Sequence, residues 1–445
     1  MNRRTFLRQS GWLTAGTCLL SGLLQSCKKL EWDQENKFQG DVIIVGGGIA
    51  GLYAAEMLIK QGVNVQILEA ANHWGGRMKA LPNAPSLFQE AERRTVRGQF
   101  SVLYDLLREQ GIDMREKSGG QLYYFAGALN TETEANQNVY FQEMLQAVES
   151  LNAYNGSDIT AQTYFEARGI SSNVEATFNV LAGQVHGTSA DRISALGIGR
   201  QYQSWGAGKS EYIISGNQLH AAIERALPNA LNQIRYNSVV TSIDYSGAKI
   251  TVQDQSGANF SCDRILVTTP LDVLKSAAIS FMPALNSNKL SSISRLGIDR
   301  GYCAMFKLQT ALWPSGTRRI IGNNIAQSFE VSDDGWVYCE VPGEQADLIS
   351  SIFGDPLTII KQQFEQLYPG AIGQITESAI HIWQGNRSYD APGAGNARET
   401  LASSINGKLF FAGEATHTGG HHGTLHGAME TAARAVIEIL NSNPS

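Results

Sequence analysis

The sequence predicts an α/β fold with a domain built on a parallel sheet. A strand, a glycine turn, a helix and a second strand follow one another within residues 41–69. Near the other end, an apolar strand that closes with Gly413-Glu414 precedes a C-terminal helix. Apolar residues make up 43% of the 445 residues and charged residues 17%, a globular composition with room for two or three domains.

The first unit begins with a short buried strand, Asp41–Val45, which runs into a glycine-rich turn. Gly46, Gly48 and Gly51 have the spacing G-x-G-x-x-G, and apolar residues then recur with helical spacing over residues 50–61 until Gly62. A second strand, Val63–Leu68, is closed by Glu69. This order and length are typical of a Rossmann-type dinucleotide-binding unit.

The residue types of this unit suit a pyrophosphate and a ribose. Glycines let the backbone approach a phosphate, and the helix start at Ile49, Ala50 and Gly51 offers unpaired N–H groups at the positive end of the helix dipole. Glu69 can accept hydrogen bonds from both hydroxyl groups of an adenosine ribose, and an acid there disfavours a 2′-phosphate. The unit therefore predicts FAD or NAD rather than NADP.

The residues after Glu69 separate FAD from NAD. The run DVIIVGGGIAGLYAAEMLIKQGVNVQILEAANHWGGRM, with Gly75-Gly76-Arg77 near its end, resembles the flavin-containing amine oxidase family, which includes monoamine, polyamine and L-amino-acid oxidases. The resemblance covers roughly residues 40–440 and implies FAD, with Arg77 near its phosphates. The family often has an arginine shortly after the acid, where this chain has Ala71 and His73.

Later blocks resemble the same family. A strand-like stretch at residues 239–243 implies that the backbone of Val240 holds the adenine. The C-terminal runs FAGEATH and GTLHGA imply that Glu414 binds the flavin ribityl chain and that Leu425 meets the flavin edge. The FAD-binding positions that we infer from the motif and the resemblance are Gly46, Gly48, Ile49, Ala50, Gly51, Glu69, Ala70, Gly76, Arg77, Val240, Gly413, Glu414, Thr424 and Leu425.

In this family the two domains alternate along the chain. The resemblance implies a Rossmann-type FAD-binding domain of residues 38–89, 212–290 and 385–445, and a discontinuous α+β substrate domain of residues 90–211 and 291–384. The expected fold is amine-oxidase-like, with an FAD-binding domain similar to that of glutathione reductase.

The catalytic half departs from the family pattern. Glu92 and Arg93 stand where two small residues usually approach the flavin ring; a two-residue shift would instead place an arginine where amino-acid oxidases bind a carboxylate. Cys303 stands where the family has a lysine that holds a water against flavin N5. Lys307 lies on the same strand face and is the candidate substitute, with a surface role as the alternative.

The family also has an aromatic residue that faces the flavin shortly after the tryptophan equivalent to Trp383. The matching place holds Ala, Pro or Gly here, and Tyr389 is the nearby candidate. We therefore name Lys307, Trp383 and Tyr389 as candidate catalytic residues. No cysteine lies in this stretch, so we expect FAD to be bound non-covalently rather than through an 8α-cysteinyl link.

The histidines concentrate in the C-terminal block. His417, His421, His422 and His426 are half of the eight in the chain. Their spacing matches no zinc signature and the glycines between them suit a cofactor loop, so no metal site is predicted. One of them near the flavin is a candidate for tuning a proton.

Together these features predict an FAD-dependent oxidoreductase of the amine-oxidase type. A hydride would pass from the α-carbon of a small amine or amino acid to flavin N5, water would hydrolyse the resulting imine, and O2 or another acceptor would reoxidise the flavin. Two alternatives stay open: a flavin dehydrogenase or desaturase on a non-amine substrate, and a flavin-binding protein without catalysis. The net charge of −6 argues against a nucleic-acid partner, and nothing indicates an oligomeric state.

The N-terminal residues 1–27 resemble a bacterial twin-arginine lipoprotein signal. Arg3-Arg4 precede a mild apolar run too short to span a bilayer, and Leu24-Gln-Ser-Cys27 resembles a lipobox. Residues 28–37 would be a tether, and a lipidated Cys27 the sole membrane contact of a periplasmic or membrane-anchored protein. The alternative is an ordinary cleaved signal with a stray Cys27. Cys262, Cys303 and Cys339 remain, an odd number that predicts no disulfide framework.

Overall fold

The computed structural model describes residues 38–78, 93–125, 127–170, 172–322, 328–351 and 354–442. The predictions for the signal, the tether and Glu92 lie outside these residues. The chain has the predicted mixed α/β fold, with five sheets in the described part. None of the described helices is long and apolar enough to cross a membrane.

A five-stranded parallel sheet forms the first layer, and it collects strands from distant parts of the chain. Ile44 in its central strand pairs with Ile67 on one side and Leu266 on the other. The central strand is buried at four of its five positions because helices and a second sheet cover both faces of the sheet. Their order is β21-β12-β1-β2-β8, with β1 Asp41–Val45, β2 Asn64–Leu68, β8 Ile234–Arg235, β12 Arg264–Val267 and β21 Leu409–Phe411.

Two helices begin at the carboxyl edge of this sheet. Helix α1 (Ile49–Lys60) connects β1 to β2, which confirms the helix predicted over residues 50–61. Helix α15 (Leu425–Leu440), the last of the described chain, follows β21 and packs along α1. Small buried residues such as Ala54 and Ala432 let the two helices approach closely.

The next layer is a mixed sheet that packs on the other face of the parallel sheet. Ile243 and Val252 from this layer share a core with Ile265. Its order is β11-β10-β9-β13, with β9 Val240–Asp244, β10 Ile250–Asp254, β11 Asn259–Cys262 and β13 Ser280–Met282. Helices α10 Leu271–Lys275, α11 Ser287–Arg295 and α14 Ala397–Ala402 share this core. Helices α8 Gly216–Ala226 and α9 Pro228–Leu231 instead share the core of α1 and α15.

A seven-stranded sheet forms the main wall of the other half of the molecule. Helices α12 (Gly343–Ser351) and α13 (Pro356–Leu367) cover one of its faces, where Phe306, Phe329 and Phe364 are fully buried. Its order is β19-β15-β18-β17-β16-β5-β6, with β5 Gly120–Phe125, β6 Ala128–Thr131, β15 Gly301–Leu308, β16 Thr317–Ile321, β17 Ser328–Val331, β18 Trp336–Pro342 and β19 Ile375–Trp383.

Two small sheets and six helices complete the described fold. The three-stranded sheet is ordered β3-β7-β4, with β3 Arg93–Arg97, β4 Arg115–Glu116 and β7 Glu211–Ser215. Strand β14 (Leu296–Ile298) pairs with β20 (Ser388–Asp390). The helices are α2 Val102–Glu109, α3 Glu132–Ala135, α4 Val139–Asn152, α5 Ala161–Glu166, α6 Ser172–His186 and α7 Ala195–Ser204. The exact domain boundaries stay a prediction.

Candidate functional site

The glycine turn between β1 and α1 requires glycine at two of its positions. Gly46 has φ +114°, a backbone conformation that side chains disfavour. A Cβ on Gly51 would lie 2.0 Å from the carbonyl oxygen of Gly46, so only glycine lets the helix start this close to the turn. These two residues fix the path of the backbone from strand to helix.

Gly48 has a different surrounding. It is the N-cap of α1, with no side-chain cap, so the first N–H groups of the helix have no partner from a capping side chain. A Cβ added to Gly48 would meet no protein atom within 4 Å. Open space in front of an uncapped helix start is what an incoming phosphate group needs.

Glu69 holds the turn from the end of the second strand. Its Oε2 accepts a hydrogen bond from the backbone N–H of Gly47 at 2.6 Å, and its Oε1 accepts from Ala71 at 2.8 Å. Each carboxylate oxygen keeps a second lone pair. The carboxylate lines the cavity described below and can therefore also accept from the two hydroxyl groups of a ribose.

Arg77 and Glu414 connect the two cofactor motifs. Arg77 Nη1 donates to Glu414 Oε1 at 2.9 Å and to the carbonyl oxygen of Asn386 at 2.5 Å. Glu414 Oε2 accepts from Ser388 Oγ at 2.6 Å and from the N–H of Gly423 at 2.9 Å. Burial alone would raise the pKa of Glu414, but the cation of Arg77, the Ser388 hydroxyl and Arg398 outweigh it and lower the pKa to about 2. Glu414 is therefore an anion beside the cavity.

The last helix starts at the same place. Thr424 caps α15: its Oγ1 accepts from the N–H of Gly427 at 2.9 Å and donates to the carbonyl oxygen of His421 at 2.6 Å. Leu425 is the first helical residue and lines the cavity. The positive end of the α15 dipole therefore faces the cavity. The positive end of the α1 dipole faces the same cavity from the glycine turn.

These motifs border one cavity of about 540 Å³, within the range of cofactor and substrate sites. Gly51 does not line it and acts instead through its contact with Gly46. The predicted residues that line it are Gly46, Gly48, Ile49, Ala50, Glu69, Ala70, Gly76, Arg77, Val240, Gly413, Glu414, Thr424, Leu425 and Trp383.

The cavity continues as a chamber against the seven-stranded sheet. Cys303 on β15, Tyr338 on β18 and Trp383 on β19 line it, with the Tyr338 hydroxyl donating to Cys303 Sγ at 3.6 Å. Tyr338 and Trp383 lie on the two strands that flank β15, so they form an aromatic wall on either side of the cysteine. Sequence reasoning missed Tyr338, because nothing in its local sequence shows which strand pairs with β15.

Lys307 shares the strand face of Cys303 but lies outside the cavity lining. The two residues are four positions apart, which corresponds to about 13 Å along a strand. Lys307 donates from Nζ to the carbonyl oxygen of Asp334 and lies over the ring of Trp336. Lys307 lies too far along the strand from Cys303 to line the chamber, so this position does not agree with the expected substitution of the family lysine.

Tyr389 also lies away from the cavity. Its ring is buried, and its hydroxyl donates to Asp299 Oδ1 at 3.2 Å. A Cβ on Gly297 would come within 2.2 Å of this ring, so Tyr389 fills the space between β14 and β20. The prediction that Tyr389 faces the flavin does not agree with this position, whereas Tyr338 lines the chamber together with Trp383.

Charged residues continue the chamber beside the aromatic pair, since Glu330 is the cross-strand neighbour of Tyr338. Arg97 ends β3 and lies across from Glu211 on β7, with Nε 3.3 Å from Oε1. Arg319 on β16 lies across from Glu330 on β17, with Nη2 3.0 Å from Oε1. Lys117 joins the two pairs, 3.5 Å from Glu211 and 3.3 Å from Glu330. Cross-strand pairing thus produces a chain of alternating charges.

A further ion pair lies beside Cys303. Arg387 Nη2 donates to Glu340 Oε2 at 2.9 Å, and Asn386 Nδ2 donates to Glu340 Oε1 at 2.7 Å. Arg387 and Glu340 both line the cavity. These charged residues come from strands and a loop that are far apart in the sequence, so no local motif predicts that they lie together.

The clash expected at Glu92 and Arg93 stays a prediction. Glu92 lies outside the described residues, and Arg93 is described as the first residue of β3, paired with Ser215. The residues of β3 that line the cavity are Thr95, Val96 and Arg97. An arginine does face the chamber, at Arg97.

His417 and His421 share one carboxylate. His417 Nε2 donates to Glu430 Oε2 at 2.6 Å, and His421 Nδ1 donates to the same oxygen at 2.8 Å. The opposite ring nitrogens accept backbone N–H groups, from Gly419 at 3.0 Å and from Gly206 at 3.2 Å respectively. In this arrangement one nitrogen of each ring faces Glu430 and the other accepts a backbone N–H group.

Although the ligand atoms of these three side chains lie within 4.8 Å of one another, their geometry is not that of a metal centre. Two ligands of one tetrahedral zinc lie about 3.3 Å apart, given bonds of about 2.0 Å. The 2.6 Å between His417 and Glu430 is a hydrogen-bond distance. A metal bound to the ring nitrogens that face Glu430 would take the place of their protons. The proton of each neutral ring would then lie on the opposite nitrogen, which accepts a backbone N–H group here. The cluster therefore fastens the loop before α15 to that helix.

His426 is the histidine that lines the cavity. It is 2% exposed, and its Nε2 has no hydrogen-bond partner among the described residues. Burial, and to a lesser degree His421, lower the pKa of His426 to about 3, so the ring is neutral at pH 7. A role for it in tuning a flavin proton stays a prediction.

The residues present fit a flavin dinucleotide. Two helix starts face one cavity, the space in front of Gly48 would be filled by a Cβ, and Glu69 keeps lone pairs for a ribose. The fold and this site define a flavin-dependent oxidoreductase.

The chain belongs to the flavin-containing amine oxidase family, because the family described as "Flavin containing amine oxidoreductase" matches residues 49–440. The chain is 23% identical to flavin-containing amine oxidase A of Bos taurus, over 90% of this chain and 85% of that protein. It is 23% identical to "Lysine-specific histone demethylase 1 homolog 2" of Oryza sativa, over 93% of this chain and 58% of that protein. The chain therefore spans little more than half the length of that relative.

Solved structures with the same fold include cyclohexylamine oxidase from Brevibacterium oxydans. It is 17% identical, with a TM-score of 0.74, and the match covers 91% of this chain and 99% of that one. A putrescine oxidase variant, also 17% identical, has a TM-score of 0.73 over 91% of this chain and 100% of that one. At these identities the likeness establishes the fold.

Proposed function

We propose that this protein uses non-covalently bound FAD to oxidise the C–N bond of a small amine or amino acid. The observation that carries the proposal is that one cavity holds both the dinucleotide motifs and a chamber with an aromatic wall. When bound, the flavin supplies the hydride acceptor. The substrate loses a hydride from its α-carbon and a proton from its nitrogen, and water hydrolyses the imine to a carbonyl compound and ammonia or an amine.

The residues of this chain bind and orient the reactants. Glu69 and the start of α1 would hold the ribose and phosphates, and Glu69 selects against a 2′-phosphate. Tyr338 and Trp383 flank the reacting carbon and limit the orientations of the substrate. The start of α15 places positive dipole at the flavin edge, which favours the charge of the reduced cofactor.

FAD rather than NAD is favoured by Arg77 and Glu414, which meet beside the same cavity. Non-covalent binding is favoured by the sequence after Trp383, which contains no cysteine. Denaturation of the purified protein in acid tests both points. FAD should be released into the supernatant and identified by its mass; a yellow pellet with a protein mass increased by FAD would contradict non-covalent binding.

An anaerobic reduction experiment tests the reaction. The purified holoenzyme is mixed with a panel of primary amines, secondary amines and amino acids while the absorbance of the oxidised flavin is followed. The proposal expects one class to bleach the flavin and aldehyde or keto acid to form in equal amount. A flavin that dithionite reduces but that no amine bleaches would overturn it.

A second candidate is a dehydrogenase that passes electrons to an acceptor other than O2. Cys303 favours it, because the family position that holds a water at the flavin has no lysine here. Admitting air to the reduced enzyme separates the two. Rapid reoxidation with peroxide release supports an oxidase, whereas slow reoxidation that a quinone or dye accelerates supports the dehydrogenase.

We also propose that the protein is exported and anchored through a lipid on Cys27, as the N-terminal sequence suggests. Expression of the full chain with a radiolabelled fatty acid should label the protein in the membrane fraction. Cys27→Ala should abolish the label, and Cys18→Ala is the matched control that should keep it. Equal labelling of the Cys27→Ala variant would contradict the anchor.

A further inference from the structure

We infer that Glu340 is a positioning residue that fixes the loop between β19 and β20, residues 384–387, and through this loop the Arg77–Glu414 pair at the cofactor end of the cavity. The inference rests on the proposed binding of FAD and not on the oxidation of an amine. It follows from the contacts that Glu340 and the loop make in the described structure.

The loop between β19 and β20 joins two parts of the cavity. Strand β19 ends at Trp383, which lines the chamber, and β20 begins at Ser388. The Ser388 hydroxyl donates to Glu414 Oε2 at 2.6 Å on the cofactor side. Because the loop between these two positions is short, a shift of its backbone would displace the aromatic wall and the support of Glu414 together.

Glu340 binds two consecutive residues of this loop from the seven-stranded sheet. It lies on β18 opposite Cys303, and its side chain is 10% exposed. Its Oε1 accepts from Asn386 Nδ2 at 2.7 Å, and its Oε2 accepts from Arg387 Nη2 at 2.9 Å. Hydrogen bonds to a carboxylate are stronger than those between neutral groups, so Glu340 holds the loop firmly against β18.

Asn386 connects Glu340 to the cofactor side of the cavity. Its side chain faces Glu340, while its backbone carbonyl oxygen accepts from Arg77 Nη1 at 2.5 Å. The same nitrogen of Arg77 donates to Glu414 Oε1 at 2.9 Å. A single residue of the loop therefore lies between the carboxylate of Glu340 and the guanidinium group of Arg77.

Asn386 has little room to take another position. It is buried, and its backbone N–H donates to the carbonyl oxygen of Asp299 at 2.8 Å. A Cβ on Gly301 would lie 2.9 Å from Asn386 Nδ2, so the amide packs directly against the backbone of β15. Loss of the bond to Glu340 should therefore shift the backbone of Asn386, and with it the carbonyl oxygen that orients Arg77.

The test measures the release of FAD when the holoenzyme is diluted, followed by the flavin fluorescence. Glu340→Gln removes the charge that binds Arg387 and sets an amide group against one of the two donors. We expect the dissociation constant of FAD to rise about tenfold, and about fivefold in the milder Asn386→Ala, which keeps the carbonyl oxygen for Arg77. An unchanged dissociation constant in both variants would overturn the inference.

Glu56→Gln is the matched control, because Glu56 is also a buried carboxylate that binds a neighbouring segment. Its Oε1 accepts from Asn229 Nδ2 at 2.9 Å and its Oε2 from the N–H of Ala230 at 3.0 Å, and it is not part of the cavity lining. Glu56→Gln should lower the thermal midpoint but leave the FAD dissociation constant within about twofold. A rise as large as in Glu340→Gln would indicate a general loss of stability and overturn the positioning role.

A double-mutant cycle shows whether Glu340 acts through Arg77. If it does, the effect of Glu340→Gln on the FAD dissociation constant should fall from about tenfold to about threefold or less once Arg77→Met is present. Equal effects of Glu340→Gln in the two backgrounds would show that the residues act independently, and would overturn the inference.

The outcomes separate this inference from the proposed function. If Glu340→Gln and Arg77→Met are coupled in FAD binding but no amine bleaches the flavin, the positioning role stands and the amine oxidation fails. If an amine bleaches the flavin but the two variants have independent effects on FAD binding, the amine oxidation stands and the positioning role fails.

Discussion

Arg77 donates a hydrogen bond from Nη1 to Glu414 Oε1 over 2.9 Å, and so joins two residues that lie 337 positions apart in the chain. The first follows the β1–α1–β2 unit and the second follows the last strand of the same sheet. Each comes from a motif that the sequence assigns to the cofactor. Their contact brings the N-terminal and C-terminal cofactor motifs together at the wall of one cavity.

Breaking this pair should weaken both the fold and cofactor retention. Arg77→Met leaves the buried carboxylate of Glu414 without its cation, which should lower the free energy of unfolding by about 3 kcal/mol. The ratio of flavin to protein after gel filtration should fall as well. Arg108→Met is the surface control. Unchanged stability and flavin content in Arg77→Met would contradict the role of the pair.

Two glycine substitutions should separate cofactor binding from folding. Gly48→Ala puts its Cβ into open space, so the apoprotein should keep its thermal midpoint while FAD binds more weakly. Gly51→Ala puts its Cβ 2.0 Å from the Gly46 carbonyl oxygen, so it should lower the midpoint even without FAD. Thermal unfolding of both apoproteins, followed by FAD titration, makes the comparison. Equal loss of stability in the two would contradict it.

Buried neutral histidines should make the protein less stable below about pH 6.5. Burial lowers the pKa of His426 to about 3 and that of His186 to about 4. The unfolded chain takes up protons near pH 6.5 and the folded chain does not, so stability is full above that pH and falls as the pH drops. From pH 7.5 to 5.0 each ring should cost about 2 kcal/mol.

Denaturant titrations at the two pH values measure this effect. His426→Phe should reduce the loss of unfolding free energy on acidification, because it removes one group that takes up a proton only when unfolded. A pH dependence as steep in His426→Phe as in the parent protein would show that this ring is protonated in the fold.

The chamber wall, and not Lys307, should control the reaction. Trp383→Ala removes half of the aromatic wall and should lower kcat/KM for flavin reduction by about tenfold through lost positioning. Lys307→Met should leave it within about twofold, since Lys307 contacts Asp334 and Trp336 outside the cavity lining. Stopped-flow reduction with the best substrate compares them. A large loss in Lys307→Met alone would reverse the assignment.

Local motifs predicted the cofactor half well because its chemistry lies in short runs. The glycine turn, Glu69 and the start of α15 each depend on residues within a few positions, so the sequence carries them directly. The structure brings nearly all the positions so inferred to one cavity. Gly51 differs only in that it shapes the turn instead of lining the cavity.

The chamber was harder to predict from the sequence, because the pairing of distant strands creates it. Tyr338 comes from β18 and Arg319 from β16, and the parallel pairing of β16 with β5 joins segments almost 200 residues apart. Alternation along β15 gave the correct face for Lys307 but not its distance from Cys303. The flavin-facing role of Tyr389 was inferred from its proximity to Trp383 in the sequence. In the structure Tyr389 lies on β20, and its ring packs in the core against β14.

The central claim is that one cavity binds FAD and oxidises an amine there. Anaerobic titration of the purified holoenzyme with an amine and amino-acid panel, followed by the flavin absorbance, tests it most directly. We expect the oxidised flavin bands to bleach with one class of C–N substrate. Bands that dithionite bleaches but that every member of the panel leaves unchanged would contradict the claim.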